Sequence, residues 1–191
     1  LFQEEPKLGS YIHLPVQSGS NSMLQKMKRK VTIEEYWEKI KWLRSFIPDI
    51  AISTDLIVGF PGETEDDFER TYKLVKELGF SFLYSFKYSP RKHTPANRYL
   101  DQVPEDVKSK RLARLNELQD KITVFQNNQE IGKQREVLFH YKSHKEDHVY
   151  YGKTEHFRLV RVYSEQNLVG KIAQVKIDGA NKVALAGKLI S

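Results

Sequence analysis

Several polar side chains that could bind a ligand surround one glycine-rich turn, within the stretch AISTDLIVGFPGETEDD at residues 51–67. Gly59 and Gly62 permit a positive φ angle and let a ligand approach the backbone closely. Asp55 is a carboxylate inside an apolar run, so it is either part of a pocket or hydrogen-bonded structure, because a buried charge needs partners. The acidic residues after the turn disfavour a phosphate site, and neither GxxxxGK[ST] nor GxGxxG occurs. From spacing alone, a turn without a ligand stays equally open.

The residues around this turn predict a strand, a turn and a helix. The run AISTDLIVGF is apolar and β-branched, like a strand that is buried on both faces. Thr64 fits a helix N-cap, Asp67 fits the capping-box position three residues later, and apolar residues then recur at helical spacing. Ligands of folds built from such units lie at the carboxyl ends of the strands, where this turn lies.

Two further strand candidates, Tyr11–Val16 and Phe80–Tyr88, flank the central unit, and helices are predicted after Ser20 and from Thr32. Three such repeats in succession predict a parallel sheet with right-handed crossovers. This is about half of a (β/α) barrel, and its unpaired edge is available to pair with another chain.

The pattern changes after a long amphipathic helix, which is predicted from about Glu105 to Glu130. Five short β-branched or aromatic runs then follow, separated by turn residues: REVLFHYK, HVYYGKTE, FRLVRVYS, IAQVKID and VALAGKLI. They predict a small closed barrel of the OB type. The predicted fold class is therefore α/β, with a partial parallel (β/α) barrel at residues 1–132 and a small all-β barrel at residues 133–191.

Four stretches resemble, in the same order, signatures of the radical S-adenosylmethionine (SAM) methylthiotransferases. They are YIHLPVQSGS, STDLIVGFPGETEDDF, YSFKYSPRKHTPA and VPEDVKSKRLARLNELQ. The ending resembles the TRAM domain, a small RNA-binding barrel, so the resemblance covers nearly the whole chain. The YSFKYSPR stretch and the ending are most similar to the branch that acts on isopentenyladenosine in tRNA. Relatives that act on threonylcarbamoyladenosine in tRNA, or on an aspartate of a ribosomal protein, stay open.

The resemblance implies that the full-length enzyme uses SAM and 4Fe-4S clusters to add a methylthio group to a modified adenosine near the tRNA anticodon. It implies a SAM site that contains Gln17, Ser18, Ser20, Gly59, Gly62 and Glu63, with Asp55 as a further candidate. No catalytic residue can be named. His93 stands where members of the family often have glycine.

The chain contains no cysteine, and iron–sulfur clusters need thiolate ligands. In the family, the cluster-binding cysteines belong to an earlier strand, which would precede Leu1. We therefore interpret the chain, which does not begin with methionine, as an inactive C-terminal part. The absence of cysteine also excludes disulfides and thiolate metal sites. His140, His144 and His148 fall in a predicted hairpin, so no metal site is predicted.

The charge of the chain fits a nucleic-acid partner, with a net value of +6 and a pI near 9.3. Basic residues alternate with aromatic ones in the predicted barrel, a pattern that suits phosphate contacts with base stacking. A solvated strand face is the alternative. The candidate RNA contacts are Arg91, Lys92, Lys153, Arg158 and Arg161.

No apolar run reaches the roughly 18 residues of a membrane span, and no signal-peptide pattern is present. The predicted partner is therefore tRNA, with no membrane, and the predicted location is the cytoplasm. A second hypothesis is that the chain is an RNA-binding module without chemistry.

Overall fold

The computed structural model describes residue 5 and residues 8–92 and 94–190 of the chain. These residues form two compact units. The larger unit comprises Ile12–Pro48 and Ile52–Ile122, and we call it the sheet unit. The other contains the residues from Thr123 onward, together with Asp49–Ala51 and the described residues up to Tyr11, and we call it the barrel unit.

A three-stranded sheet forms the centre of the sheet unit, in the order β1-β2-β3. Its strands are β1 (Tyr11–His13), β2 (Ala51–Val58) and β3 (Phe82–Lys87). Strands β2 and β3 run parallel, with Ser53 opposite Phe82. The parallel sheet that the sequence predicts is therefore confirmed, and β2 is the largely buried strand expected from its apolar, β-branched sequence.

Helices connect these strands: α1 (Asn21–Lys26), α2 (Ile33–Phe46) and α3 (Glu65–Leu78). Both predicted capping boxes are present, formed by Thr32 with Glu35 and by Thr64 with Asp67. In each box, the threonine side chain and the acidic side chain satisfy amide groups that the first helical turn leaves free. Helix α3 then buries Phe68, Leu74, Val75 and Leu78.

A long helix, α4 (Glu105–Asn128), follows β3 and a short 3-10 turn at Pro95–Arg98. Leu115 and Leu118 of this helix are buried, and Gln119 donates a hydrogen bond to the backbone oxygen of Phe80 at 2.9 Å. Helix α4 ends two residues before the predicted end, Glu130. Among the described residues, we find no helix with the length and hydropathy needed to cross a membrane.

The barrel unit contains a closed barrel of five strands in the order β4-β5-β6-β8-β7. The strands are β4 (Gln134–Lys142), β5 (Val149–Thr154), β6 (Leu159–Tyr163), β7 (Ile172–Ala180) and β8 (Leu185–Leu189). Strands β6 and β8 pair in parallel, and the other pairs are antiparallel. The prediction of a closed five-stranded barrel is confirmed.

Alternate residues of the strands fill the interior of this barrel, as the period of two requires. Val137, Phe139, Val160, Val162 and Ile177 are all almost completely buried there. Gly152 lies where strands approach closely, because a Cβ atom at this position would lie 2.5 Å from the backbone oxygen of Leu138.

Candidate functional site

A groove of about 720 Å³ opens at the carboxyl ends of β2 and β3 in the sheet unit. Polar and charged residues come to it from the segment after β1, from the end of α1 and from the loop after β3. Its lining includes Gln17, Lys26, Lys28, Arg29, Asp55, Phe60, Phe86, Lys87, Tyr88, Arg91 and Tyr99. The edge of a parallel sheet at which such a groove lies is the usual ligand-binding edge of open α/β folds.

Gln17 lines the groove from a strained backbone position. Its φ angle is +79°, in the left-handed region that residues other than glycine rarely adopt. The backbone N–H of Gln17 donates to the backbone oxygen of Asp55 at 2.9 Å, and the N–H of Ile57 donates to the backbone oxygen of Gln17 at 2.9 Å. These two bonds to β2 fix the unusual conformation and hold Gln17 beside the carboxyl end of that strand.

The side chain of Asp55 belongs to the groove lining and also lies close to His13. Its carboxylate oxygen lies 3.4 Å from Nε2 of His13, and its side chain is 30% exposed. His13 is itself fixed, since its Nδ1 lies 2.7 Å from the hydroxyl of Ser53. Asp55 is the only carboxylate among the described residues that line the groove.

Ser18 and Ser20 are buried against α3 and do not line this groove. The hydroxyl of Ser18 lies 3.3 Å from that of Thr71, and the hydroxyl of Ser20 donates to Asp67 at 2.5 Å. Gly19 between them leaves no room for a side chain, because its Cβ would lie 2.5 Å from the Cα of Thr71. In this structure, these residues fasten the loop onto α3 and thereby position Gln17.

Asp67 of α3 accepts hydrogen bonds that join the loop after β1 to this helix. Burial opposes its ionisation, but hydrogen bonds from Ser20, Ser22 and Thr64 outweigh that effect and lower the pKa of Asp67 from 3.8 to about 2. A carboxylate with a depressed pKa stabilises the folded state above its unfolded pKa, and the stabilisation is lost as the pH falls toward the folded value.

We therefore expect the sheet unit to lose roughly 2 kcal/mol of stability between about pH 5 and pH 2 through Asp67. Urea unfolding followed by circular dichroism, at neutral and acid pH, measures this loss. The Asp67→Asn variant should be less stable than the wild type at neutral pH, and the difference should shrink in acid. A difference that stays constant with pH would contradict this assignment.

The glycine turn is packed by the chain itself. Gly59 and Gly62 have φ angles of +71° and +76°, as the sequence predicts for glycines that make a tight turn. The N–H of Gly62 donates to the backbone oxygen of Asp101 at 2.7 Å, and a Cβ on Gly59 would lie 2.3 Å from Cγ of Lys108. Phe60 is the residue of this turn that lines the groove.

Glu63 is turned into the protein, and its side chain is completely buried. It accepts a hydrogen bond from the N–H of Gly59 at 2.7 Å and forms an ion pair with Arg111 of α4 at 2.7 Å. Burial raises the pKa of Glu63, although the Gly59 amide and the Arg111 guanidinium oppose that shift. In this structure Glu63 therefore links the turn to α4 and lies outside the groove lining.

Four aromatic residues also belong to the described groove lining: Phe60, Phe86, Tyr88 and Tyr99. Phe60 makes edge contacts with Tyr88 and Tyr99, at ring-centre distances of 5.1 and 6.4 Å. The hydroxyl of Tyr88 is buried without a hydrogen-bond partner among the described residues. Phe60, Tyr99 and Lys28 were not among the residues that the sequence predicts for a site.

Of the candidate RNA contacts, Arg91 and Lys92 are both exposed, but only Arg91 lines the groove. The three barrel candidates have local partners. The ammonium of Lys153 lies over the ring of Phe157, Arg158 donates to Asn127 at 2.6 Å, and Arg161 donates to Glu146 at 2.6 Å. Burial lowers the pKa of Arg158. His93 lies outside the described residues.

Comparison with known proteins yields one consistent set of relatives. Residues 2–75 match the model of the Radical SAM superfamily. The chain is 44% identical, over 95% of its length, to a protein of Protochlamydia amoebophila named tRNA-2-methylthio-N(6)-dimethylallyladenosine synthase, and covers 40% of it. For the synthase of the same name from Ehrlichia ruminantium, the identity is 49% over 96% of the chain and 41% of the relative.

The synthase of Clostridium botulinum is 45% identical over 96% of the chain, which again covers 41% of the relative. The chain thus contains a segment that matches the Radical SAM model, is homologous to these synthases, and spans about 40% of their length. Among solved structures, the radical SAM enzyme coproporphyrinogen III oxidase from Escherichia coli aligns with 87% of this chain and 41% of its own, at 18% identity and a TM-score of 0.48.

Proposed function

We propose that this chain is the C-terminal part of a cytoplasmic radical SAM tRNA methylthiotransferase, whose substrate is a dimethylallyl-modified adenosine beside the anticodon. The observation that carries the proposal is the identity of 44–49% to synthases of that name over about 95% of the chain. Similarity of this extent includes the groove, the glycine turn and the barrel, and so covers more than one motif.

The groove of the sheet unit is the proposed SAM site. SAM carries a sulfonium and an ammonium group, and Asp55 offers the carboxylate of the groove to them. Gln17 offers an amide on a fixed backbone, and the aromatic rings offer apolar surface to the adenine base. Gly59, Gly62 and Glu63 contribute to this proposed site indirectly, because they shape the turn that places Phe60 on the groove lining. SAM bound here would supply the radical chemistry of the proposed enzyme, and the residues of the groove would hold and orient it.

None of the 191 residues can serve as a thiolate ligand of a 4Fe-4S cluster. They contain no cysteine, and the ligands of a 4Fe-4S cluster are thiolates. The cluster of the proposed enzyme is therefore held by residues beyond these 191, and we expect the chain by itself to be inactive.

The barrel unit is proposed to be a TRAM-like, RNA-binding domain. Its closed five-stranded form and the basic residues on its strands support this assignment. Arg161 is the better probe of that surface, since Arg158 is tied to Asn127 and Gln126. A charge change at Arg158 would disturb the fold as well as any RNA contact.

The function is tested in a chimaera. The upstream part of the Ehrlichia ruminantium synthase is joined to this whole chain, in place of the 41% of the relative that it matches. The reconstituted protein is incubated with SAM, a sulfur source and tRNA that lacks the modification, and the nucleosides are analysed by mass spectrometry. We expect methylthio-dimethylallyladenosine to form.

Two results would overturn this proposal. One is methylthiolation of threonylcarbamoyladenosine, or of the ribosomal protein, in place of the dimethylallyl nucleoside. The other is a chimaera that holds its cluster and cleaves SAM but modifies nothing, while the intact relative modifies the same tRNA. RNA binding in that second case would favour the hypothesis of a binding module without chemistry.

A further inference from the structure

The groove in the sheet unit has a strongly basic lining. Among the described residues, five cationic side chains line it against the single carboxylate of Asp55. Three of the five have protein partners. Lys26 pairs with Asp101 at 3.3 Å, Lys87 pairs with Glu105, and Arg29 donates to the backbone oxygen of Pro15 at 3.0 Å.

The other two, Lys28 and Arg91, have no side-chain partner among the described residues. They come from segments that are far apart in the sequence, one at the end of α1 and the other in the loop after β3. Exposed lysines and arginines on a protein surface are common, but these two unpaired cations share one groove, whose positive field is opposed only by the carboxylate of Asp55 among the described lining residues.

The backbone presents Lys28 in a defined way. Its φ angle is +57°, a left-handed conformation that is uncommon for lysine. The backbone N–H of Lys28 donates to the backbone oxygen of Gln25 at 2.9 Å, and that of Arg29 donates to the backbone oxygen of Leu24 at 2.8 Å. These bonds close the end of α1 and hold Lys28 at the groove.

The same groove offers aromatic surface beside these charges. Phe86 is 54% exposed and lies on the lining with Phe60, Tyr88 and Tyr99. Cations next to exposed rings are the combination that binds a nucleotide chain, because the cations take the phosphates and the rings stack on the bases.

We infer that Lys28 and Arg91 bind phosphates of the RNA substrate at the rim of this groove and hold the target nucleoside beside the proposed SAM site, next to the exposed ring of Phe86. The inference rests on the proposed function for the identity of the RNA. It assigns Lys28 a role that its position at a helix end does not reveal, and it separates Arg91 from its neighbour Lys92, which does not line the groove.

The two residues have matched controls within the chain. Lys30 is two residues from Lys28, exposed, and lies outside the groove lining. Arg98 is in the same loop as Arg91, is also exposed, and lies outside the lining as well. Neither control has a side-chain partner among the described residues, so each removes the same charge from the same segment of the chain.

The experiment measures binding of a labelled anticodon stem-loop RNA to the chimaera by fluorescence anisotropy, over a range of salt concentrations. Lys28→Glu and Arg91→Glu should each weaken binding about tenfold, and each should lower the slope of log affinity against log salt by about 1. Lys30→Glu and Arg98→Glu should change the affinity less than about twofold. Lys28→Gln and Arg91→Gln remove the positive charge without adding a negative one, so each should lose less RNA affinity than the corresponding glutamate variant.

Equal losses in the rim and control variants would overturn the inference, because they would indicate a diffuse field with no defined contact. Unchanged affinity in both rim variants would overturn it as well. The assay needs neither the cluster nor turnover, whereas the nucleoside analysis tests the reaction. If the rim variants weaken RNA binding but the chimaera does not methylthiolate tRNA, the inference stands and the proposed function is refuted. If the chimaera methylthiolates tRNA but the rim variants bind RNA normally, the proposed function stands and the inference is refuted.

Discussion

Replacing Arg111 with alanine should lower the free energy of unfolding of the sheet unit by about 3–5 kcal/mol. The side chain of Glu63 is fully buried, and Arg111 lies 2.7 Å from it with only 7% of its own side chain exposed. Removal of the cation leaves a buried carboxylate that keeps the hydrogen bond from Gly59 but has lost its buried counter-charge. The change in stability is measured by chemical denaturation of the chain at neutral pH.

Arg114 provides the matched control on the same helix. It pairs with Glu65 and Glu69, and all three side chains are about half exposed. Exposed pairs contribute about 1 kcal/mol or less, so Arg114→Ala should cost much less than Arg111→Ala. The double variant Glu63→Gln with Arg111→Met should regain much of the lost stability. Equal losses for the two arginines would show that the buried pair is not what fastens the turn to α4.

Replacing Asp55 with alanine should weaken SAM binding by about 10-fold to 100-fold in the reconstituted chimaera. A hydrogen bond to a charged group contributes about 1.5–3 kcal/mol, and Asp55 is the one carboxylate of the described groove lining. The melting temperature should change little, because its side chain is partly exposed and its own partner, His13, is bonded to Ser53 as well. Calorimetric titration with SAM measures the affinity.

Ser20→Ala serves as the opposite control. Its hydroxyl donates to Asp67 inside the protein, so this variant should lose stability and keep its SAM affinity in the molecules that are folded. Asp55→Asn retains the shape but not the charge, and it should lie between wild type and Asp55→Ala. A well-folded Asp55→Ala protein with wild-type affinity would show that SAM binds elsewhere.

Features that depend on neighbouring residues were predictable from the sequence. The capping boxes of α2 and α3 follow from Thr32, Glu35, Thr64 and Asp67 alone, since each pair is only three residues apart. The barrel strands follow from alternation between buried and exposed residues. The strand order, with β8 between β6 and β7, did not follow, because any of several pairings would satisfy the same alternation.

The groove was predictable only in part, because it is assembled from separate segments. Gln17 and Asp55 lie on it as the sequence suggests, whereas Ser18, one residue from Gln17, is buried against Thr71. A one-residue shift reverses the direction of a side chain, and the sequence of a loop does not encode which one faces inward. Lys28 was not predicted as a site residue, because most of the other lining residues, from Asp55 to Tyr99, are distant from it in the sequence.

Under the proposed function, the left-handed backbone at Gln17 sets the stability of the fold against the binding of SAM. The conformation costs a side-chain-bearing residue about 1 kcal/mol, and glycine would adopt it at almost no cost. Glycine, however, would leave the groove without the amide that Gln17 brings to it. Selection for thermal stability alone would therefore favour glycine at this position, whereas selection for turnover would favour glutamine.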